Sequence, residues 1–286
     1  MEIQHSFVVL NGQKIGYYHA GQESGAAGKK TVVLLHGGGV DSALLSWRKA
    51  IEPLAEEYSV YAPDWPGYGQ SEWQHGTYSV QSLVDVLDEF LKALKIENPT
   101  LIGLSMGGAA ALGFALAFPD RVNRLVLVDS YGLQSKVPFY RLAYWFVQVP
   151  ALTRWTYAWL RKSKPLTRTS IKSIFGDPAR VSPEIVDEVF DVIQNPEMGA
   201  SFYQFQVDEV QKSRLKTCYM DQLGRVKART LIIHGEKDYL VPLADARMAA
   251  EKIDGAKLEI IPGCGHWPPR EQPEIFNRLV MEFLGQ

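Results

Sequence analysis

One pentapeptide constrains this chain more than any other. Gly103-Leu104-Ser105-Met106-Gly107 joins an apolar run, Thr100 to Leu104, to the Ala- and Leu-rich segment Met106 to Phe118. A serine that turns a strand into a helix within so few residues must take a strained backbone conformation, and glycines two residues before and after it leave room for the crossing chain. The turn lifts the hydroxyl to the carboxyl edge of a sheet and sets it at a helix N-terminus, where positive partial charge can meet a developing oxyanion. The pattern predicts a nucleophile elbow with Ser105 at its tip.

The rest of the chain supplies the sheet such an elbow needs. Phe7 to Leu10 and Ile15 to His19 flank Asn11-Gly12, a hairpin turn signal, so the sheet should begin with an antiparallel pair. Thr31 to Leu35, Ser59 to Ala62, Thr100 to Leu104, Leu125 to Val128, Thr230 to His234 and Leu258 to Ile261 read as six further strands. Between them lie helical patterns at Leu44 to Glu57, Val80 to Leu94, Met106 to Phe118, Leu243 to Ile253 and Glu271 to Leu284. The alternation predicts an α/β fold, a mostly parallel eight-stranded sheet flanked by helices. Residues 134–223 break the rhythm, being free of strand patterns, rich in aromatics and cut by Pro138, Pro150, Pro165, Pro178, Pro183 and Pro196. They read as an inserted helical cap, with residues 1–133 and 224–286 as the core.

Bulk properties narrow the partners. A chain of 286 residues with 46% hydrophobic and 22% charged content can bury one large core, and its net charge of −2 argues against a nucleic acid partner. Cys218 and Cys264 could form at most one bridge, which is not the pattern of a disulfide-stapled secreted fold. The first thirty residues lack a signal-peptide pattern, and no stretch is apolar enough for a stable membrane span. A cytoplasmic protein that binds a small molecule is expected, with room for a homodimer. No P-loop, paired C-x-x-C, H-E-x-x-H or EF-hand pattern calls for a nucleotide, metal or other cofactor.

A serine hydroxyl needs a base working near neutral pH, which points to histidine. His5 and His19 lie in the N-terminal hairpin, His75 in a polar loop, and His234 inside a buried-looking strand where a satisfied core role is expected. His266, in Pro262-Gly-Cys-Gly-His-Trp267 after the last strand, is placed to swing an imidazole over Ser105. His36-Gly37-Gly38-Gly39 follows the strand Thr31 to Leu35 and can turn backbone N–H groups toward the elbow. The oxyanion donors are expected to be the amides of Gly38 and Met106, with Gly39 as the competitor of Gly38.

Taken together, His36 to Gly39, Asp64 to Ser71, Gly103 to Gly108 and Cys264 to Trp267 resemble the α/β-hydrolase superfamily along the whole core. The resemblance implies the chain order nucleophile, acid, histidine, which confines the acid to residues 106–265. Two aspartates end strands there. Asp238, after the penultimate strand, is the favoured acid, while Asp129 is the alternative and otherwise a turn or hinge residue. Asp64 precedes the nucleophile and reads as a structural turn residue. Serine in the elbow also departs from those members of the fold that attack with aspartate.

Within the superfamily, His36-Gly-Gly-Gly, Ser105-Met-Gly-Gly, Cys264-Gly-His-Trp and Phe276-Asn-Arg-Leu-Val280 look like the hydrolases of meta-cleavage products of aromatic degradation and related carboxylesterases. The first group cleaves a carbon–carbon bond in a vinylogous diketo acid. Two departures favour an ester: Leu104 stands where that group usually has asparagine, and Val189 falls where it has a cap arginine that binds the dienoate. The expected activity is that of a carboxylesterase on small or aromatic esters, with carbon–carbon hydrolysis as the alternative. Arg141, Arg154 or Arg168 could replace the missing clamp. A third class is a ligand receptor on the same fold, as in some plant hormone receptors. Gly39, Leu104, Tyr144, Trp145, Val241 and Trp267 are the expected pocket residues.

The cap is strongly basic. Residues 134–180 carry Lys136, Arg141, Arg154, Arg161, Lys162, Lys164, Arg168, Lys172 and Arg180 against the single acid Asp177. Such a stretch could attract anionic substrates or a lipid surface. The plainer expectation is a solvated helix face whose cations shield Phe139, Tyr140, Tyr144, Trp145, Phe146, Trp155, Tyr157 and Trp159.

Overall fold

Mostly apolar five-residue runs determine the centre of the molecule. Every residue of Thr31–Leu35 (β3), Ser59–Pro63 (β4) and Thr100–Leu104 (β5) is buried, as expected of strands covered by helices on both faces. A computed structural model describes residues 2–21, 30–73, 76–136 and 139–286, apart from the side chains of Pro196 and Met198. His75 and Pro138 lie outside the described residues. Gln4–Leu10 (β1), Gln13–Ala20 (β2), Arg124–Val128 (β6), Arg229–Gly235 (β7) and Lys257–Ile261 (β8) complete one eight-stranded sheet in the order β1-β2-β4-β3-β5-β6-β7-β8. The β1/β2 and β2/β4 pairs are antiparallel and the remaining pairs parallel.

This order decides where chemistry can occur. The chain runs from β3 out to β4 and then back to β5 on the other side of β3, and Leu35 pairs with Gly103. The loop after β3 and the elbow after β5 are thereby neighbours at one sheet edge, the usual place for a site in open α/β sheets. At the far side Gly235 pairs with Ile261, so the loops that follow β7 and β8 also leave the sheet together.

Helices Ala43–Ala55 (α1), Val80–Ala93 (α2) and Met106–Ala117 (α3) cover the sheet along with those near the C-terminus. α3 is buried from Met106 to Leu116, which explains why it is built of Ala, Gly and Leu and is apolar all round. Between β6 and β7 the chain inserts Tyr140–Val147 (α4), Pro150–Lys162 (α5), Lys164–Lys172 (α6), Pro183–Val192 (α7) and Pro196–Glu209 (α8). Proline occupies the first or second position of α5 to α8, where its missing N–H costs nothing. Leu243–Lys252 (α9) follows β7. The helix expected from Glu271 to Leu284 begins two residues later, as Pro273–Leu284 (α11), and a separate short turn, Pro268–Glu271 (α10), precedes it. Gln272 separates the two at φ −139° and ψ 63°, because a residue before proline is driven out of the helical region.

Candidate active site

Ser105 sits at φ 49° and ψ −114°, a conformation that non-glycine residues rarely adopt and that costs on the order of 1–3 kcal/mol. Its surroundings leave it no choice. The Ser105 amide donates to Val128 O at 2.9 Å, and its carbonyl accepts from Ala109 N at 3.1 Å and Tyr131 N at 3.0 Å. A Cβ on Gly103 would stand 2.4 Å from Gly107 O, and one on Gly107 only 2.2 Å from Leu35 O. The elbow is therefore wedged against the end of β3, and only glycine fits at those two positions.

The loop after β3 is fixed by two buried polar side chains. His36 Nδ1 lies 2.8 Å from Gly37 O while its Nε2 accepts from Trp65 N at 3.0 Å, a pattern that fits the neutral ring. Burial lowers its pKa to about 3, the Gly37 carbonyl opposing that shift. Asp41 accepts from Gly37 N and Ser42 N at 2.8 Å each, and from Ser46 Oγ. The Gly37 amide is thus committed, and the next amide free to face an oxyanion is that of Gly38. Ser46 Oγ also accepts from Trp267 Nε1 at 2.9 Å, joining the glycine loop to the loop that carries His266. Asp64 accepts from Ala43 N at 2.8 Å and Gln70 N at 3.0 Å, as suits a structural turn residue.

His266 is held from two directions. Its Nδ1 lies 2.7 Å from Asp238 Oδ2, and its amide donates to Ile174 O at 2.8 Å. Asp238 Oδ1 accepts from Leu240 N at 2.8 Å and Val241 N at 3.2 Å. Burial pushes the Asp238 carboxyl up, but His266, His234 and the Leu240 amide together hold it below the ordinary aspartate value. Glu271 braces the same loop, accepting from Gly265 N at 2.8 Å, Gly176 N at 3.0 Å and Asp177 N at 2.9 Å.

Asp129 lies beside this pair and not on the imidazole of His266. It accepts from Gly235 N at 2.9 Å and faces His234 Nδ1 at 3.3 Å. Burial, followed by the charge of Asp238, raises its pKa well above the aspartate value. His234 is fully buried with Nε2 3.1 Å from Val241 O, but its Nδ1 makes no hydrogen bond, so the satisfied core role its sequence position suggested is met at one ring nitrogen only. Ligand atoms of Asp129, His234 and Asp238 fall within 4.8 Å of one another. Gly235 N, Val241 O, His266 and the amides after Asp238 engage the other atoms of this set, while Asp129 Oδ2 and His234 Nδ1 make no hydrogen bond.

Ser105 and His266 open into one cavity of about 790 Å³, within the range that takes a drug-sized ligand. Gly38, Gly39, Met106, Val241 and Trp267 line it; Leu104 borders an adjoining space of about 50 Å³ with Ser105 and His266. Tyr144 and Trp145, expected in the pocket, are not in its wall. Helix α4 turns Leu142, Ala143, Phe146 and Val147 inward, a spacing that puts one face on the cavity and sends 144 and 145 the other way. Sequence reading also missed Phe202, Phe205 and Gln206 of α8, whose three- and four-residue spacing was the available signal, and Tyr131 and Gln134 after β6. Val189 is in the wall, whereas Arg141, Arg154 and Arg168 are not. Among the described residues the only carboxyl in the wall is that of Glu209, whose oxygens accept from Val80 N, Tyr131 Oη and Thr217 N.

An imidazole oriented by a carboxylate beside a strained serine at a helix N-terminus can take the hydroxyl proton and support attack on a carbonyl. Proteins of known activity have the same architecture. The chain is 31% identical over 256 residues to a 2-hydroxy-6-oxo-2,4-heptadienoate hydrolase of Pseudomonas putida, covering 88% of each. It is 29% identical to a 2-hydroxy-6-oxo-6-phenylhexa-2,4-dienoate hydrolase of Burkholderia cepacia, covering 97% of this chain and 95% of the other. A meta-cleavage product hydrolase from Pseudomonas fluorescens superposes with a TM-score of 0.79 at 29% identity, over 98% of this chain and 97% of that one. The sequence profile of the alpha/beta hydrolase fold matches residues 30–273, and the chain belongs to that family of hydrolases.

Proposed function

We propose that this hydrolase is a carboxylesterase acting on esters with uncharged, apolar acyl groups, aromatic ones included. In this reading Ser105 is the nucleophile, His266 the general base, and Asp238 the acid that sets the imidazole tautomer. His266 takes the Ser105 proton as Oγ attacks the ester carbonyl, and the oxyanion is received by the amides of Gly38 and Met106. The alcohol leaves with the proton from His266, and water repeats the sequence on the acyl-enzyme. Residues 134–223 act as a cap that closes the acyl pocket over the core of residues 1–133 and 224–286.

The observation that carries this reading is the absence of Lys and Arg from the cavity wall among the described residues, with Val189 at the position where a clamp would be expected. A dienoate carries a carboxylate, and ketonisation before carbon–carbon cleavage proceeds by protonating a dienolate on carbon; both anions need a fixed cation to be held in one geometry. An apolar ester needs none.

Carbon–carbon hydrolysis is the second reading, and the names of the relatives favour it. Comparing kcat/KM for p-nitrophenyl butyrate and benzoate with that for a 2-hydroxy-6-oxo-dienoate tests the choice. A higher value for the esters is expected, and a clear preference for the dienoate overturns the proposal.

A further inference from the structure

Tyr140 is buried, but several other aromatic residues of the inserted helices are not covered by the cations beside them. Phe139 is 84% exposed, Leu142 71%, Trp145 66%, Trp155 64% and Trp159 68%. They belong to consecutive helices that pack side by side, α4 on α5 and α5 on α6, where Leu166 is 46% exposed. Trp155 and Trp159 stand four residues apart, so α5 presents a stripe to solvent beside the exposed Trp145 of α4. Apolar surface of this extent on a water-facing wall marks an interaction site.

The charge carried by α4 to α6 themselves is of one sign, with Lys164 alone paired to an acid of the neighbouring α7, Asp187 at 2.9 Å. Lys136, Arg141, Arg154, Lys162, Arg168 and Lys172 are exposed, and none has an ion-pair partner among the described residues. Residues 134–180 hold nine cations and one acid in a chain whose total charge is −2, and that acid, Asp177, is engaged by Arg180 at 3.6 Å.

From this combination we infer that the outer face of α4 to α6 docks on an anionic phospholipid surface. Tryptophan rings settle at the headgroup level, where an apolar body and an N–H are both accommodated, and lysine and arginine around them meet lipid phosphates. A second copy of the chain is a poorer occupant. A two-fold contact sets the same patch against itself, cation facing cation. No helix of the described residues is long and apolar enough to cross a membrane, so the attachment is peripheral. The face also borders the cavity: Phe139, Leu142 and Phe146 line it while remaining 84%, 71% and 38% exposed. An apolar ester dissolved in the lipid thus reaches Ser105 without crossing water. This last link rests on the esterase reading; the docking does not.

Flotation of the full chain with vesicles tests the docking without using activity. Vesicles of phosphatidylcholine with one quarter phosphatidylglycerol should retain at least ten-fold more protein than phosphatidylcholine alone, and 0.5 M NaCl should release most of it. Trp145→Ala/Trp155→Ala/Trp159→Ala and, separately, Arg154→Glu/Arg168→Glu/Lys172→Glu should each lose at least ten-fold in retention, with unchanged circular dichroism and unchanged turnover of a water-soluble ester. Equal retention on neutral and anionic vesicles overturns the proposal, as does full retention by either folded variant. A concentration-dependent dimer in sedimentation that the tryptophan variant abolishes assigns the face to a second copy and overturns it too.

Discussion

Asp238 Oδ2 stands 2.7 Å from His266 Nδ1, while Asp129, one strand away, spends Oδ1 on the Gly235 amide and does not touch that imidazole. The two carboxyls are driven apart in pKa: Asp238 is held low by the histidines around it, and burial beside Asp238 raises Asp129. Only one of them can fix the tautomer of His266.

Asp238→Asn should therefore lower kcat for p-nitrophenyl butyrate by about 10⁴-fold, since an amide can present a donor to Nδ1 and reverse the tautomer. Asp129→Asn, at a carboxyl that does not touch His266, should cost about ten-fold or less. Steady-state kinetics of the two purified variants check this. A larger loss from Asp129→Asn would move the acid to that residue.

The glycines around the serine give a contrast between folding and catalysis. Gly107→Ala drives a Cβ to 2.2 Å from the Leu35 carbonyl, and backbone cannot yield as a side chain does, so a loss of about 3 kcal/mol is expected in urea unfolding. A Cβ on Gly38 meets Phe202 Cε2 at 2.7 Å, the far end of a half-buried ring. Gly38→Ala should fold but displace the oxyanion loop, lowering kcat by roughly 10- to 100-fold with little change in KM. Adding Phe202→Leu should recover part of that loss. No recovery would mean that the ring is not what displaces the loop.

Asp41 supplies a pH test of the same loop. Burial pushes its carboxyl up to about 7, against the donors Ser46, Ser42 and Gly37 that favour the charged form. A folded pKa above the unfolded one, about 3.9, stabilises the native chain fully at low pH, and that contribution is lost as pH rises through about 7. Asn at this position does not titrate. The stability advantage of wild type over Asp41→Asn should shrink from pH 5 to 7 by up to about 1.4 kcal/mol per unit, read from urea midpoints. A constant or growing difference would contradict the assignment.

The sheet was legible because its central strands are short, mostly apolar runs buried on both faces, a signal that needs no partner to be read. Ser105, His266 and the Asp238/Asp129 choice were legible for a related reason: each follows a strand end, and parallel pairing brings such ends to one edge. The pocket was not. Tyr144 and Trp145 attracted notice as aromatics, but which face of α4 meets the cavity depends on how the helix packs, and that turned Leu142 and Phe146 inward. The exposure of Trp155 and Trp159 was equally hidden, since composition alone cannot distinguish cations that cover aromatics from cations that stand beside them.

The most direct test of Ser105 as the nucleophile in this cavity is intact-protein and peptide mass spectrometry after treatment with an apolar serine-directed phosphonate. One adduct is predicted, on the peptide containing Ser105, and it should vanish in Ser105→Ala while circular dichroism stays unchanged. An adduct on another residue, or equal labelling of the folded Ser105→Ala variant, would contradict the account.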